Sequence, residues 1–155
     1  MDSSGAGDYE SECWPKQSNW FDYLNKNTRE YVASLYKSVP EGSKDPENYI
    51  WNERDVMVWN DMNEPACFNQ TEATISKNTL HNFIPDDPIE ESQIVEHRAV
   101  HNVYGLFNSM TTAKGQLERT EGHDRVFSLS RSFFAGSQQY YTAVWTADCR
   151  YEFQY

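Results

Sequence analysis

Three charged side chains stand at or just after the ends of three short apolar runs in this sequence of 155 residues. The charged residues are Asp61, Arg131 and Asp148. If the apolar runs form parallel β-strands, their carboxyl ends lie along the same edge of the sheet, where α/β proteins place their active sites. We therefore expect two carboxylates and one guanidinium to face a single cleft.

Two carboxylates on opposite sides of a cleft suit glycoside hydrolysis. In the retaining reaction they lie about 5–5.5 Å apart, and one attacks the anomeric carbon while the other protonates the leaving oxygen. A nearby arginine lowers the pKa of the nucleophile, whereas desolvation and the neighbouring negative charge raise the pKa of the acid. Asp and Asn after a strand are also ordinary helix caps and turn formers, and spacing alone leaves that alternative open.

Other residues that could do chemistry are less well placed. His97 and His101 have the spacing of zinc-protease ligands, but Arg98 follows the first histidine where those enzymes have Glu. Both histidines flank the apolar stripe of a predicted helix, so we expect them to be buried and hydrogen-bonded. The segment 134–138, FAGSQ, is neither a phosphate loop nor a nucleophile elbow. No metal-binding spacing relates the cysteines, which are Cys13, Cys67 and Cys149.

Two helices are predicted by apolar residues at helical spacing. The first covers 25–39, where Asn27 or Thr28 can cap the amino end. The second covers 92–115 and is expected to stop at Gly115.

Three strands and two long loops complete the predicted elements. The predicted strands are 56–59, 125–131 and 142–148. The polar segments 41–55 and 69–92 predict loops. Apolar strands that alternate with helices favour a parallel sheet with both faces covered.

The charge of the chain restricts its partners. It has 24 acidic and 13 basic side chains, which gives a net charge of −11 with neutral histidines. This acid excess argues against nucleic acid and against anionic membranes as partners. The aromatic content of 15% suits a polar cleft lined by rings, and it suits long solvated loops equally well. Residues 1–12 have neither the basic nor the apolar region of a signal peptide.

The stretch VWNDMNEP, residues 58–65, resembles the nucleophile signature of glycoside hydrolase family 31, the α-glucosidase family. The residues at the spacing of that signature are Trp59, Asp61, Met62, Asn63 and Glu64. Further segments resemble the neutral α-glucosidases of the endoplasmic reticulum in the same order, namely 13–15 (CWP), 96–107 (EHRAVHNVYGLF), 126–138 (VFSLSRSFFAGSQ) and 143–148 (AVWTAD).

The resemblance implies a (β/α)₈ barrel, retaining hydrolysis of terminal α-linked glucose from oligosaccharides, and no cofactor. By this correspondence Asp61 is the nucleophile, Asp148 is the general acid/base, and Glu64 is a further acidic position of the signature. The substrate-binding residues implied in the same way are Arg131, Trp14, Trp59 and Met62.

The resembling segments supply about three of the eight strands of such a barrel. We therefore expect an α/β fold, a fragment of a TIM barrel with about three parallel strands and intervening helices. The expected divisions are a flexible tail at 1–12, the partial catalytic barrel at 13–148 and an unmatched tail at 149–155. The family ends its last motif Gly–Asp–Asn, whereas residues 147–149 read Ala–Asp–Cys.

These departures lead us to expect that the isolated chain is inactive or nearly so. A non-catalytic remnant that binds carbohydrate or a partner chain is the alternative. The resemblance also implies an oligosaccharide or glucoside substrate, a regulatory β subunit as partner, and the lumen of the endoplasmic reticulum as compartment. Without a signal peptide in this sequence, we otherwise expect a cytoplasmic chain.

Overall fold

The computed structural model describes residues 1–36, 56–68, 73–146 and 148. Its strands are β1 (Glu10–Cys13), β2 (Lys16–Asn19), β3 (Val58–Asn60), β4 (Leu80–Phe83), β5 (Gln93–Glu96), β6 (Ser128–Ser130) and β7 (Thr142–Val144). Its helices are α1 (Lys26–Ser34) and α2 (His97–Arg119), with a 3₁₀ helix at Ser137–Tyr140. The predicted loop 41–55 and the predicted tail 149–155 lie outside the described residues.

The sheet that positions the site is parallel. Its three strands pair in the order β3–β6–β7, with Val58 opposite Ser128 and Ser128 opposite Thr142. This confirms the predicted α/β class, in which three parallel strands form one sheet. In the described ranges the sheet does not close into a barrel. Each strand has three residues and is shorter than predicted: β3 begins later than expected and extends to Asn60, β6 lies inside 125–131, and β7 takes only the start of 142–148.

Helix α1 is capped by a residue that sequence reasoning did not select. The side chain of Asn25, in extended conformation, accepts from the backbone N–H groups of Asn27 and Thr28. The prediction that Asn27 or Thr28 is the cap is therefore wrong, because both already lie inside the first turn. Asn25 satisfies amide donors that have no partner within the helix.

Helix α2 begins and ends later than predicted. Residues 93–96 form β5, which pairs antiparallel with β4 and leaves His97 as the first helical residue. Gly115 does not stop the helix, because it lies where α2 packs closely on α1. A Cβ at Gly115 would come within 2.5 Å of the Tyr36 ring, so the absence of a side chain permits this packing.

The core between the helices and the sheet is small. Val32 and Tyr36 of the first helical region pack with Val58 of β3, and the partly buried Tyr23 packs against them. On the same buried face of this strand, Asn60 exchanges hydrogen bonds with Thr112 of α2 at 3.0 and 3.2 Å. Helix α2 thus fixes the strand that leads into Asp61.

Two antiparallel hairpins accompany the parallel sheet. β1 pairs with β2, so residues 10–12, which we assigned to a flexible tail, take part in a strand. β4 lies inside the segment 69–92, which we predicted as a loop. Neither α1 nor α2 is long and apolar enough to cross a membrane.

Candidate active site

The carboxyl ends of β3 and β6 lie side by side. The backbone N–H of Arg131, the first residue after β6, donates to the carbonyl oxygen of Asn60 at 3.0 Å. This bond continues the parallel ladder to the point where Asp61 and Arg131 leave the sheet. Asp148 follows β7, the third strand, at the same edge. The topology therefore matches the strand-end arrangement predicted from the sequence.

Arg131 is the centre of the polar contacts at this edge. Its Nη2 lies 3.1 Å from Oδ2 of Asp148, and its Nε lies 3.6 Å from Oε1 of Glu64. Its Nη1 donates to the sulfur of Met62 at 3.0 Å. We expected the arginine to support the nucleophile Asp61, but both of its ion pairs with described residues go to Glu64 and Asp148.

Hydrogen bonds within the turn after β3 hold Asp61 and Met62 in place. Oδ1 of Asp61 accepts from the backbone N–H of Met62 at 2.9 Å. Met62 has a φ of +56°, in the left-handed region, and its carbonyl oxygen accepts from the N–H of Ala66 at 2.9 Å. A non-glycine residue in this conformation is uncommon and occurs where surrounding contacts hold it. Here the Arg131 contact to the sulfur is one of those contacts.

A cleft of about 810 Å³ opens beside the guanidinium. It is lined by Met62, Glu64, Ala66, Cys67, Phe68, Ala73, Thr74, Arg131, Phe133, Trp145, Thr146 and Asp148. Four of the predicted site residues therefore meet in one space, together with aromatic rings. Such a combination of charged groups and rings suits a polar ligand with apolar faces.

Asp61 lines a second, smaller pocket of about 330 Å³ that also contains Trp59 and shares Met62 with the cleft. The Asp61 side chain is exposed at the mouth of this pocket. The structure therefore places Asp61 and Asp148 in adjacent spaces on either side of Met62, rather than in one cleft. Their joint action as a catalytic pair stays a prediction.

The two tryptophans predicted to line the pocket have different surroundings. Trp59 is 63% exposed and meets Trp145 edge-on, with ring centroids 5.8 Å apart. Trp14 is 74% exposed on the β1–β2 turn and contacts Phe68 edge-on at 5.0 Å. Each therefore touches a ring of the larger cleft without lining that cleft itself.

Sequence reasoning missed the aromatic rings that do line the cleft, which are Phe68, Phe133 and Trp145. Trp145 offered a usable signal, since it lies in the same predicted strand as Asp148. Phe133 likewise follows Arg131 closely in sequence. Phe68 offered none, because its position depends on the backbone bond from its N–H to the carbonyl oxygen of Glu12 in β1.

A buried chain of polar side chains links the hairpin β4–β5 to α2. Oδ1 of Asp22 lies 2.8 Å from Nδ1 of His81, and Nε2 of His81 lies 2.9 Å from Nδ1 of His97. The prediction that His97 is a buried, hydrogen-bonded histidine is confirmed, and its ring is 1% exposed. For His101 the same prediction is wrong, because its side chain is only half-buried; its ring is tilted against that of His97, with the centroids 4.6 Å apart.

Burial by itself shifts the pKa values of His97 and Asp22, the end residues of this hydrogen-bonded series, in opposite directions. Desolvation, followed by the charges of His81 and His101, lowers the pKa of His97 to about 3. Burial alone would raise the pKa of Asp22, but the hydrogen bond and charge of His81, with two backbone N–H donors, outweigh it and lower the pKa. Within the described ranges, no group of three or more His, Cys, Asp or Glu side chains could hold a metal ion.

The fold and the strand-end residues define a glycoside hydrolase barrel segment, and comparison with known proteins identifies the family. Residues 1–155 match the model of the glycosyl hydrolases family 31 TIM-barrel domain. The chain therefore belongs to this family, as the signature predicted.

The particular relatives are α-glucosidases. The chain is 41% identical over 151 residues to neutral alpha-glucosidase C of Mus musculus, which covers 97% of this chain and 15% of the relative. It is 42% identical over 147 residues to the probable glucan 1,3-alpha-glucosidase of Oryza sativa subsp. japonica, covering 95% of this chain and 14% of the relative. The chain thus spans about 15% of the length of the relatives it matches.

Solved structures agree with these relatives. The crystal structure of the glucosidase II alpha subunit in its alpha3-Glc2-bound form matches with a TM-score of 0.71 and 36% identity, covering 92% of this chain and 14% of that chain. The catalytic subunit in the ER glucosidase II heterodimeric complex, solved with the binding domain of the regulatory subunit, matches with a TM-score of 0.70 and 36% identity. That match covers 90% of this chain and 13% of that chain.

Proposed function

We propose that this chain is the part of a retaining α-glucosidase that carries both carboxylates of the reaction. Asp61 is the nucleophile and Asp148 the general acid/base, and the substrate is an oligosaccharide with a terminal α-linked glucose. The observation that carries the proposal is the parallel ladder β3–β6–β7, because it brings Asp61, Arg131 and Asp148 to one edge of a sheet.

The reaction proceeds in two displacements. A carboxylate oxygen of Asp61 attacks the anomeric carbon while Asp148 gives its proton to the glycosidic oxygen, so that the leaving sugar departs as an alcohol. Asp148, now ionised, then takes a proton from water, whose oxygen displaces Asp61 and releases glucose with the original configuration. This sequence requires the two carboxyl groups to lie about 5–5.5 Å apart with the sugar between them.

The remaining residues have supporting roles in this proposal. Arg131 binds the sugar and exchanges its ion pairs with Glu64 and Asp148 for hydrogen bonds to sugar hydroxyls. Met62 lines both the pocket of Asp61 and the cleft of Asp148. The glucose ring would lie beside it, between the two carboxylates. Trp14 and Trp59 lie at the entrance of the cleft and offer aromatic faces there. Trp14 packs on Phe68 and Trp59 packs on Trp145, two rings that line the cleft.

We propose further that this 155-residue chain has little or no turnover by itself. Its described residues supply three parallel strands, and its two catalytic carboxylates line separate pockets. A barrel of eight strands would enclose the substrate from the remaining sides. By likeness to the glucosidase II catalytic subunit, we place the function in N-glycan processing in the endoplasmic reticulum, with a regulatory subunit as partner.

The competence of the segment is testable in a chimera. Mouse neutral alpha-glucosidase C, with its matching 151 residues replaced by those of this chain, supplies the rest of the barrel. We expect this chimera to hydrolyse a chromogenic α-glucoside and to lose at least about 10³-fold in kcat with Asp61→Asn or Asp148→Asn, as removal of a catalytic group does. The unmodified mouse enzyme is the control.

Two results would contradict the proposal. A folded chimera without activity would favour the non-catalytic remnant, which calorimetry of the 155-residue chain with maltose would then test. Turnover by the isolated chain that disappears with Asp61→Asn would contradict the proposed inactivity.

A further inference from the structure

Asn63 lies between Asp61 and Glu64 in the turn after β3, and its side chain is fully engaged. The residue is 7% exposed. Its Nδ2 donates to Oδ1 of Asn108 and to Oγ of Ser130, both at 2.9 Å. Its Oδ1 accepts from the backbone N–H of Ser132 at 2.9 Å. One amide therefore joins the turn to helix α2 and to the end of β6.

The other two partners of Asn63, Ser130 at the end of β6 and Ser132 just beyond it, lie on either side of Arg131. Oγ of Ser130 also donates to the carbonyl oxygen of Ser132 at 2.7 Å, which closes a small ring of hydrogen bonds around the Arg131 backbone. The Arg131 N–H itself bonds to the carbonyl oxygen of Asn60. The backbone that carries the guanidinium is thus held to the backbone that carries Asp61.

The guanidinium in turn contacts the residues on either side of Asn63. It reaches the sulfur of Met62 and a carboxylate oxygen of Glu64. Two side chains therefore link the turn after β3 to the segment 130–132. Asn63 reaches from the turn to that segment, and Arg131 reaches from that segment to the turn. Such crossed contacts fix the distance between the segments more tightly than either contact alone.

Helix α2 approaches this ring of hydrogen bonds closely. A Cβ on Gly105 would lie 2.8 Å from the carbonyl oxygen of Ser132, so only glycine fits there. Asn108 is three residues later and lies on the same face of the helix. The helix thus contributes one hydrogen bond to Asn63, while the segment 130–132 contributes two.

We propose that Asn63 is a positioning residue, which sets the place of Asp61, Met62 and Glu64 relative to Arg131 through its two hydrogen bonds to the segment 130–132. This inference rests on the proposed glycosidase function, because it assigns the positioning to that reaction. Neither a bond to substrate nor a proton transfer is assigned to Asn63.

The test follows the guanidinium and the sulfur by NMR in the 155-residue chain, labelled with ¹⁵N-arginine and ¹³C-methyl methionine. Arg131→Lys and Met62→Leu identify the two signals. We expect Asn63→Ala to move the Arg131 Nε–H and Met62 methyl signals towards their positions in unfolded peptides. In a second sample labelled uniformly with ¹⁵N, the Ser132 amide should exchange roughly tenfold faster or more, since it loses its acceptor.

Asn108→Ala is the matched control. It removes the bond to α2 but keeps both bonds from Asn63 to the segment 130–132, so it should lower thermal stability while leaving the Arg131 and Met62 signals in place. Equal movement of these signals in both variants would overturn the proposal, because a general loosening of the fold would explain it. Unchanged signals in Asn63→Ala would overturn it as well.

If Asn63→Ala does not fold, Ser130→Ala decides the question, because it deletes one acceptor of Asn63 and shortens a buried side chain only slightly. Movement of the Met62 signal in this variant supports the proposal, and an unchanged spectrum overturns it. Titration with 1-deoxynojirimycin separates the two levels of inference. Site signals that depend on Asn63 in the chain, together with a folded mouse chimera that neither binds the iminosugar nor turns over an α-glucoside, support the positioning and count against the glycosidase function alone.

Discussion

Nη2 of Arg131 lies 3.1 Å from Oδ2 of Asp148, and the same guanidinium extends its Nε towards Glu64 at 3.6 Å. One cation therefore contacts two carboxylates at the edge of the sheet while Asp61 lies on the far side of Met62. The two predicted catalytic carboxylates therefore have different neighbours. Asp148 faces a positively charged group, whereas Asp61 accepts from a backbone N–H.

Replacing Arg131 by Lys tests whether the forked geometry matters. A lysine keeps the charge but cannot hold Glu64, Asp148 and the Met62 sulfur with one planar group. We expect kcat of the mouse chimera to fall roughly 10²-fold, within the range that proton-transfer groups contribute. The free energy of unfolding of the isolated chain should change by less than about 1 kcal/mol, because these pairs are partly exposed.

Arg98→Lys is the control for this substitution. Arg98 makes an ion pair with Glu96 at 2.8 Å outside the cleft, and its side chain is more exposed than that of Arg131, at 51% against 30%. In enzyme assays of the mouse chimera, Arg98→Lys should therefore keep the activity that Arg131→Lys loses. Equal activities of the two variants would show that the site does not depend on the forked guanidinium of Arg131.

The hydrogen-bonded series Asp22–His81–His97 makes the free energy of unfolding depend on pH. The pKa of His97 is about 3 in the folded chain, so the residue stays neutral there while it takes up a proton below about pH 6.5 in the unfolded chain. Its contribution is present above pH 6.5 and is lost as the pH falls towards 3. The loss has a limiting slope of about 1.4 kcal/mol per pH unit. Asp22 adds to it only at lower pH, because its pKa is lowered below 3.8.

Urea unfolding at pH 6.5 and 5.5 measures the onset of this loss, about 1 kcal/mol over that pH unit, because half of the unfolded chains are already protonated at His97 at pH 6.5. We expect His97→Asn to be less stable at pH 6.5 but to lose less stability on acidification, since the amide cannot be protonated. His123→Asn, at an exposed histidine, should behave like the parent chain. A slope that His97→Asn leaves unchanged would assign the acid sensitivity to other groups.

Asn25→Ala should destabilise the chain by about 1 kcal/mol, as expected for loss of a helix cap. Its side chain accepts from two backbone N–H groups at the start of α1, which would lose these partners. Asn27→Ala is the informative control, because sequence reasoning chose Asn27 and the structure places it inside the helix. Chemical unfolding of both variants checks the assignment, and a larger effect at Asn27 would contradict it.

The contrast between Asn25 and Asn27 shows how far local sequence patterns reach. Periodicity predicted the two helices and three parallel strands, because apolar residues such as Val32 and Val58 must face a core. The cap depends on where the backbone changes from extended to helical, which composition does not encode. The hairpins β1–β2 and β4–β5 were missed because their strands are short and largely polar.

The site was predictable to a similar depth. Parallel topology and the family signature brought Asp61, Arg131 and Asp148 to one edge, but they did not indicate which carboxylates the guanidinium contacts. The role of Asn63 depends on three partners that are distant in sequence, so no local pattern could reveal it.

Trp145 should contribute more to substrate binding than Trp14, although sequence reasoning selected Trp14. Trp145 lines the cleft beside Asp148, whereas Trp14 is 74% exposed and reaches the cleft only through Phe68. An aromatic face that packs against a sugar ring is worth about 0.5–1.5 kcal/mol by analogy with ring pairs. We therefore expect Trp145→Ala to raise KM of the mouse chimera for an α-glucoside by roughly 2- to 10-fold. Steady-state kinetics with Trp14→Ala, expected to change KM by less than about twofold, provides the comparison, and the reverse order would place the sugar on the β1–β2 turn instead.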